Sequence, residues 1–247
     1  MALLAGKNVL ITGALGTIGQ ALVTRYSEEG ANVVALDRPE SPGAQETVSK
    51  LSPNARYFGC DLGDLPGTEA AVSKLSEDVG GIDVLVNNAA HVHNRPFEDF
   101  SIDEYEEEVR INSSAAFVLT RVVSRYMKQQ KYGKIVNLTS MTLTGHWDGF
   151  VPYIASKGAM FGLIKGFARE LGPFGINVNG ISPGAVVSDA EYRHYGDRRE
   201  QYHQWILERQ SVKRRIEPMD IANLAVFLSS AQADLISGQN IQVDAGW

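Results

Sequence analysis

Tyr153 and Lys157 stand one helical turn apart, and Ser140 lies thirteen residues before the tyrosine. Side chains at i and i+4 share a helix face, so the ammonium can sit beside the phenol. An unperturbed phenol ionises at about pH 10, too high for a base near neutrality. A lysine charge about 4 Å away, at an effective dielectric near 20, contributes roughly 4 kcal/mol, or about three pKa units. The pair is therefore suited to take a proton from a hydroxyl or to return one to a carbonyl oxygen. Ser140, at the end of a predicted strand, supplies a hydrogen bond to that oxygen and steadies its developing charge. A helical Tyr and Lys, or a serine in a turn, is ordinary when taken singly, so the register of the three carries the inference.

The chain opens with Thr12-Gly13-Ala14-Leu15-Gly16-Thr17-Ile18-Gly19, set between a predicted strand and a helix pattern. At such a junction the first helical amides and the positive end of the helix dipole face an anion, and glycine lets the backbone approach it. A pyrophosphate meets that description. Asp37 closes the second predicted strand, where a carboxylate accepts hydrogen bonds from both adenosine ribose hydroxyls and repels a 2′-phosphate, which favours NAD over NADP. Arg38 follows at once and is able to hold that phosphate instead; the bland alternative for Asp37-Arg38-Pro39 is a polar turn. A nicotinamide cofactor beside an acid/base tyrosine means hydride transfer, in which a base takes the hydroxyl proton as the hydride leaves and an acid returns it in reverse.

These residues need strand ends and a helix to hold them. Short β-branched runs alternate with stretches of helical period, the pattern of a parallel sheet covered by helices. Strands are predicted at Asn8 to Thr12, Asn32 to Leu36, Ala55 to Cys60, Val84 to Asn87, Lys134 to Leu138, Asn177 to Ile181 and Asn240 to Val243. Helices are predicted over 18–29, 66–79, 101–128, 153–171 and 218–229. Seven strands and no long linker make residues 1–247 a single α/β domain. The one long connection, Ser188 to about Arg215, is rich in Tyr, His, Arg and Gln and reads as a substrate lid at about 188–215. A formal charge of −6 argues against a nucleic-acid partner, leaving Arg198-Arg199 and Lys213-Arg214-Arg215 as solvated faces. No segment approaches the ~20 apolar residues of a membrane span, and the apolar stretch before Lys7 is too short for a signal-peptide core. Cys60 is the single cysteine, so no intrachain disulfide or cysteine-based metal cluster is expected. A cytoplasmic setting fits these features.

Further motifs follow in order. Asp61-Leu62 comes after the third predicted strand, Asn87-Asn88-Ala89-Ala90 after the fourth, Asn112 within a helix, and Pro183-Gly184 after the sixth. With the glycine run, Ser140 and Tyr153-Ile-Ala-Ser-Lys157, the chain resembles the short-chain dehydrogenase/reductase family over essentially its whole length. The resemblance implies a Rossmann-type, doubly wound sheet with helices on both faces. It also implies NAD(P)-dependent interconversion of an alcohol and a carbonyl, and a homotetramer or homodimer. By the same resemblance Gly13, Gly16, Thr17, Ile18 and Gly19 cradle the cofactor phosphates, while Asp37 and Arg38 meet the ribose. Asp61 and Leu62 border the adenine. Asn88, Ala89 and Ala90 run beneath the cofactor, Tyr153 and Lys157 touch it, and Pro183, Gly184, Val186 and Ser188 border the nicotinamide. Asn112 joins Ser140, Tyr153 and Lys157 as the holder of a relay water. The chain departs from the family pattern at Gly16, which comes one residue early, and at Ala90, Ser188 and Ala245, where Gly, Thr and Gly are usual.

Substrate contacts are expected above the nicotinamide, at the carboxyl ends of the strands. The candidates are His91, His93, Arg95, Thr142, Thr144, His146, Trp147, Tyr192, His194 and Tyr195. So polar and aromatic a set suits a small hydroxylated or carboxylated molecule such as a sugar, polyol, cyclic alcohol or hydroxy acid. His91 and His93 without an obvious third ligand make a poor metal site, and no catalytic metal is expected. The leading function is an NAD-dependent dehydrogenase of a small polar secondary alcohol. Its alternatives are an NADPH-dependent 3-oxoacyl-carrier-protein reductase and a non-catalytic dinucleotide-sensing protein. The terminal segment Val243 to Trp247 is a candidate for packing against a neighbouring subunit.

Overall fold

Alternate residues of the central strands face opposite sides of one sheet. On β1 (Asn8–Thr12), Val9 and Ile11 enter one core and Leu10 the other. On β2 (Asn32–Asp37), Val33 and Ala35 part from Val34 and Leu36 in the same way. Both faces are apolar because both are covered, as a buried parallel sheet requires. The remaining strands are β3 (Ala55–Gly59), β4 (Val84–Asn87), β5 (Gly133–Leu138), β6 (Ile176–Pro183) and β7 (Asn240–Val243). The sheet order is β3-β2-β1-β4-β5-β6-β7, and every neighbouring pair is parallel. The structure, a computed structural model, describes residues 2–39 and 41–247, and the side chains of Ala190, Arg193 and His194 lie outside the described residues.

The helices are α1 (Thr17–Glu28), α2 (Ala44–Leu51), α3 (Leu65–Asp78), α4 (Ile102–Val109), α5 (Ala115–Gln130), α6 (Val151–Leu171), α7 (Asp189–Tyr195), α8 (Arg199–Arg209) and α9 (Pro218–Ser229). Leu22, Val23 and Tyr26 of α1 pack with Ile221, Ala225 and Val226 of α9 in one core. Val72 and Leu75 of α3 pack with Leu119, Val123 and Met127 of α5 in the other. The Tyr26 hydroxyl donates to the Ala225 carbonyl (3.0 Å) and bonds Ser229 Oγ (2.7 Å), locking α1 to α9. Burial holds the Tyr26 phenol well above its ordinary value. Among the described residues no helix is long and apolar enough to cross a membrane.

Three features differ from the sequence reading. The helix expected over 101–128 is broken into α4 and α5 by a π turn at Arg110–Ser114. α2 was hidden by its length of 8 residues, too short to show a clear period. The connection after Ser188 folds as α7 and α8 joined by a 3-10 turn. Ser188 Oγ caps α7 by accepting from Glu191 N (3.2 Å). The sheet order reverses between β1 and β4, which opens a crevice at the carboxyl ends of the strands.

Candidate active site

The crevice is floored by the loop after β1. Gly13 has φ +64°, and a Cβ there would lie 2.7 Å from the Ala89 Cα. At Gly19 a Cβ would meet the Gly13 carbonyl at 2.0 Å, so only glycine lets α1 come this close to the loop. Thr12 Oγ1 accepts from Asn88 N and Ala89 N (3.0 Å each), and the Asn88 amide donates to Thr12 O (2.9 Å) and Gly13 O (3.0 Å). These bonds fix the ends of β1 and β4 to each other. Gly16, the N-cap of α1, offers no capping side chain, so the amides of Thr17 and Ile18 are left for an anion. The early glycine thus sits at the cap itself. Thr17 Oγ1 accepts from Asp189 N (3.3 Å) and ties α7 to this loop. Asp37 ends β2 with one carboxylate oxygen accepting from Leu15 N (2.9 Å) and the other from Arg38 N (2.8 Å). The cradle fits the pyrophosphate and ribose of a dinucleotide. Asp61, two residues past β3, is exposed and accepts from Gly63 N (2.9 Å), and Leu62 is buried in the adjoining core.

Ser140, Tyr153 and Lys157 converge at one cavity of about 380 Å³, with Ile18, Asn88 and Ala90 on its cofactor side. Pro183, Gly184, Val186 and Ser188, from the end of β6 onward, also line it. Ser140, just past β5, caps a 3-10 turn at Met141–Leu143, and its Oγ accepts from Thr142 N (3.1 Å) and Thr142 Oγ1 (2.9 Å). Tyr153 hydrogen-bonds Ser140 from the first turn of α6. Lys157 Nζ donates to the Leu138 carbonyl (2.7 Å) and stands 5.4 Å from the Tyr153 ring centroid.

Spacing alone assigned the lysine the dominant effect on the phenol, but burial outweighs it here. Burial pushes Tyr153 up to about 12, offset in part by the Ser140 bond and reinforced by the Glu108 carboxylate. Burial likewise brings Lys157 down to about 8.

Asn112 sits in the π turn with its side chain clamped to the chain after β4. Its Oδ1 accepts from His91 N (2.6 Å), and its amide donates to His91 O (2.8 Å) and to Ser156 Oγ (3.0 Å). After β4 the residues that line the cavity alternate along the chain: Asn88, Ala90, Val92 and Asn94. His93 turns instead to α4, where N and Nδ1 meet Glu108 Oε1 (2.8 and 3.1 Å). The His91 ring lies 4.5 Å from that of His93. Arg95 pairs with Glu104 (2.5 Å) over the Phe100 ring. Among the described residues no three metal-ligating side chains cluster.

Thr142, Trp147 and Tyr195 reach the cavity. Thr144 bonds Gln242 on β7, His146 lines a separate surface cleft, and Tyr192 lines a third cavity beyond α7. His194 lies outside the described residues. The sequence reading missed Asn94, Phe150, Glu191 and Tyr202 of the cavity wall. Asn94 was discoverable from the period-2 alternation after β4, and Glu191 from its i,i+4 spacing to Tyr195. Phe150 and Tyr202 carry no such local signal. Trp147 stacks on Trp247 (4.7 Å between centroids) and meets Trp205 edge-on (5.7 Å), so the C-terminal residue packs within its own chain at the cavity rim.

A dinucleotide cradle at the switch point of a parallel sheet, with a Ser–Tyr–Lys set beside it, defines a nicotinamide-dependent oxidoreductase. Residues 13–247 match the sequence family described as enoyl-(acyl carrier protein) reductase, and the chain belongs to the short-chain dehydrogenase/reductase family, whose members act with NAD(P) on CH–OH groups. It is 33% identical to 5-keto-D-gluconate 5-reductase of Escherichia coli strain K12, over 98% of this chain and 96% of that one. It is also 33% identical to D-threitol dehydrogenase of Mycolicibacterium smegmatis, over 99% of this chain and 94% of that one. A solved structure from Beutenbergia cavernae, provisionally described as an NAD(P)-dependent gluconate 5-dehydrogenase with NADP bound at low occupancy, superposes with a TM-score of 0.91. That structure is 33% identical, with 99% of this chain and 97% of the other covered.

Proposed function

We propose that this protein interconverts a small hydroxylated secondary alcohol and its ketone, with NAD(H) as the hydride carrier and Tyr153 as the acid/base group. The observation that carries the reading is the convergence of Ser140, Tyr153 and Lys157 on a cavity walled by polar and aromatic side chains. Relatives named for gluconate and threitol chemistry support the same substrate class. A bound cofactor supplies the hydride acceptor or donor beside Tyr153. In oxidation the Tyr153 oxygen takes the substrate hydroxyl proton, and in reduction it returns that proton to the carbonyl oxygen. Ser140 donates to the same oxygen and holds it in place. The Lys157 ammonium, 5.4 Å from the Tyr153 ring centroid, and the Ser140 hydroxyl both favour the phenolate and work against the rise caused by burial.

Gly13, Gly16, Thr17 and Ile18 would hold the pyrophosphate, Asp37 the ribose, and Asp61 and Leu62 the adenine edge. Asn88 to Ala90, Pro183, Gly184, Val186 and Ser188 would flank the nicotinamide. Asn112 keeps one lone pair of Oδ1 for a relay water. Asp37 at the end of β2 favours NAD over NADP, while Arg38 beside it and the NADP of the Beutenbergia structure favour the other choice. The substrate would lie against Thr142, Trp147, Asn94, Phe150 and Tyr195, covered by α7 and α8 as a lid. We also assign a homodimer or homotetramer, supported by the exposed apolar side chains Ile102, Tyr105, Phe117 and Phe161 on α4, α5 and α6. A monomeric mass by light scattering at micromolar concentration would contradict it.

The deciding experiment follows NADH absorbance while the protein and NAD⁺ meet sugars, polyols, cyclic alcohols and hydroxy acids, with Tyr153→Phe alongside. Turnover confined to one class, and reduced about 10²–10⁴-fold in the variant, supports the reading. Reduction of an acetoacetyl thioester with NADPH, and silence with every alcohol, would favour the carrier-protein reductase instead. Binding of the dinucleotide with no turnover in either direction would leave a sensing protein.

A further inference from the structure

Relatives of this chain include enzymes named for sugar acids and one named for a neutral polyol, D-threitol, and the cavity carries charge that separates these two kinds of substrate. Among the described residues its charged lining consists of Lys157 and Glu191. Lys157 is committed to the Leu138 carbonyl and lies beside the Tyr153 ring. Glu191 is on α7 and forms the partition between this cavity and a neighbouring one of about 430 Å³. Arg215 lines only the neighbouring cavity and holds the carboxylate from that side. Its Nη1 donates to Oε1 (3.1 Å), its Nη2 to Oε2, and Nη2 also reaches the Ala185 carbonyl (3.3 Å). Both side chains are 7% exposed, so the pair is largely buried and held in place. A bidentate guanidinium uses one lone-pair direction of each carboxylate oxygen and leaves others free to accept.

We propose that Glu191 is a specificity residue that makes this site prefer neutral polyols to sugar acids. The inference rests on the dehydrogenase reading above. An alditol brings a hydroxyl proton to every polar position and can donate to Glu191 while its C–H faces lie on Trp147 and Phe150. An aldonate of the same length brings a carboxylate, which finds no free cation among the described lining and meets a fixed negative group instead. Discrimination of this kind comes as much from the repelled competitor as from the accepted substrate. The neighbouring neutral groups, Asn94, Thr142, Tyr195 and Tyr202, hydrogen-bond hydroxyls but do not compensate a buried anion.

The test compares kcat/KM for matched pairs that differ only in a terminal CH₂OH or COO⁻, threitol with threonate and glucitol with gluconate. It uses the wild type, Glu191→Gln and the doubly neutral Glu191→Gln/Arg215→Gln, each checked for an unchanged thermal transition. The wild type is expected to favour the alditol by about tenfold or more, the scale of a mismatched polar contact. Glu191→Gln, which leaves Arg215 uncompensated, should reduce or reverse that ratio mainly through KM. The double variant should lose the discrimination while keeping a neutral, buried pair. Wild-type preference for the aldonate, or an unchanged ratio in folded Glu191→Gln, overturns the proposal and leaves the dehydrogenase reading standing. Absence of turnover with all four substrates and with the wider alcohol panel removes both.

Discussion

Burial acts on Tyr153 and Lys157 in opposite senses, raising the phenol to about 12 and lowering the ammonium to about 8. Each neutral form is favoured alone, so the charged pair forms only when the two charges support each other. The consequence for stability has a definite sign. An unfolded lysine titrates near its ordinary value of 10.5, above the folded one. Below about pH 8 both states hold the proton and folding bears the whole cost of burying the charge. As pH rises from about 8 towards 10.5, the unfolded state retains the proton that the folded state has released, and stability increases by up to about 3 kcal/mol. Tyr153 is protonated in both states up to about pH 9, so the lower part of this window reports on the lysine. The wild-type melting temperature should therefore climb relative to Lys157→Met between pH 7.5 and about 9.5. A difference that stays constant with pH would show that Lys157 is not desolvated in solution. Tyr153 and Lys157 were legible from spacing alone, because i,i+4 neighbours meet on any α-helix. The balance of burial against charge was not, because desolvation depends on what the rest of the chain stacks over α6.

Most elements were legible because covered parallel strands leave short β-branched runs between longer periodic stretches. The exceptions have local causes. The π turn between α4 and α5 inserts one residue into a helix whose sequence period is otherwise unbroken, and its place is marked by Asn112, which clamps the segment after β4. The stretch from 91 to 94 alternates between the cavity and α4, so a shift of one residue exchanges the side chains of the cavity for those meeting α4. Beyond β7 the chain turns at Ala245, which has φ +58°, a left-handed conformation in which a Cβ is strained. The turn persists because Val212 N donates to Ala245 O (2.9 Å) and Ser211 N to Gly246 O (3.1 Å), anchoring the tail to the end of α8. Ala245→Gly removes the strain and should raise the melting temperature by about 2–4 °C, the equivalent of about 1 kcal/mol in a domain of this size. An unchanged or lower transition would mean that the glycine's extra freedom in the unfolded chain offsets the relief. The same substitution should leave the aromatic cluster of Trp147, Trp205 and Trp247 in place, which tryptophan fluorescence would report.

Across the whole molecule, the proposed determinant of cofactor choice is Asp37 at the end of β2, the strand next to β1, where the sheet order reverses towards β4. Asp37 is held there by two backbone amides, so its charge is fixed in orientation. Asp37→Ser should raise KM for NAD⁺ by about ten- to a hundredfold and improve NADP⁺, because Arg38 then faces the 2′-phosphate without a competing carboxylate. Equal loss with both cofactors would place Asp37 in loop structure rather than cofactor choice. The sequence by itself determined the class of protein: the glycine run, Asp37, Ser140, Tyr153 and Lys157 are each tied to a strand end or to one helix turn, and such local geometry follows from spacing. The tertiary structure decided which side chains line the cavity. It turned His93 towards Glu108 with His91 clamped by Asn112, brought Asn94 and Phe150 to the cavity, and set Glu191 between Arg215 and the reacting centre. Those contacts join residues tens of positions apart on separate elements, and only the packing of α4, α7 and α8 against the sheet fixes their directions.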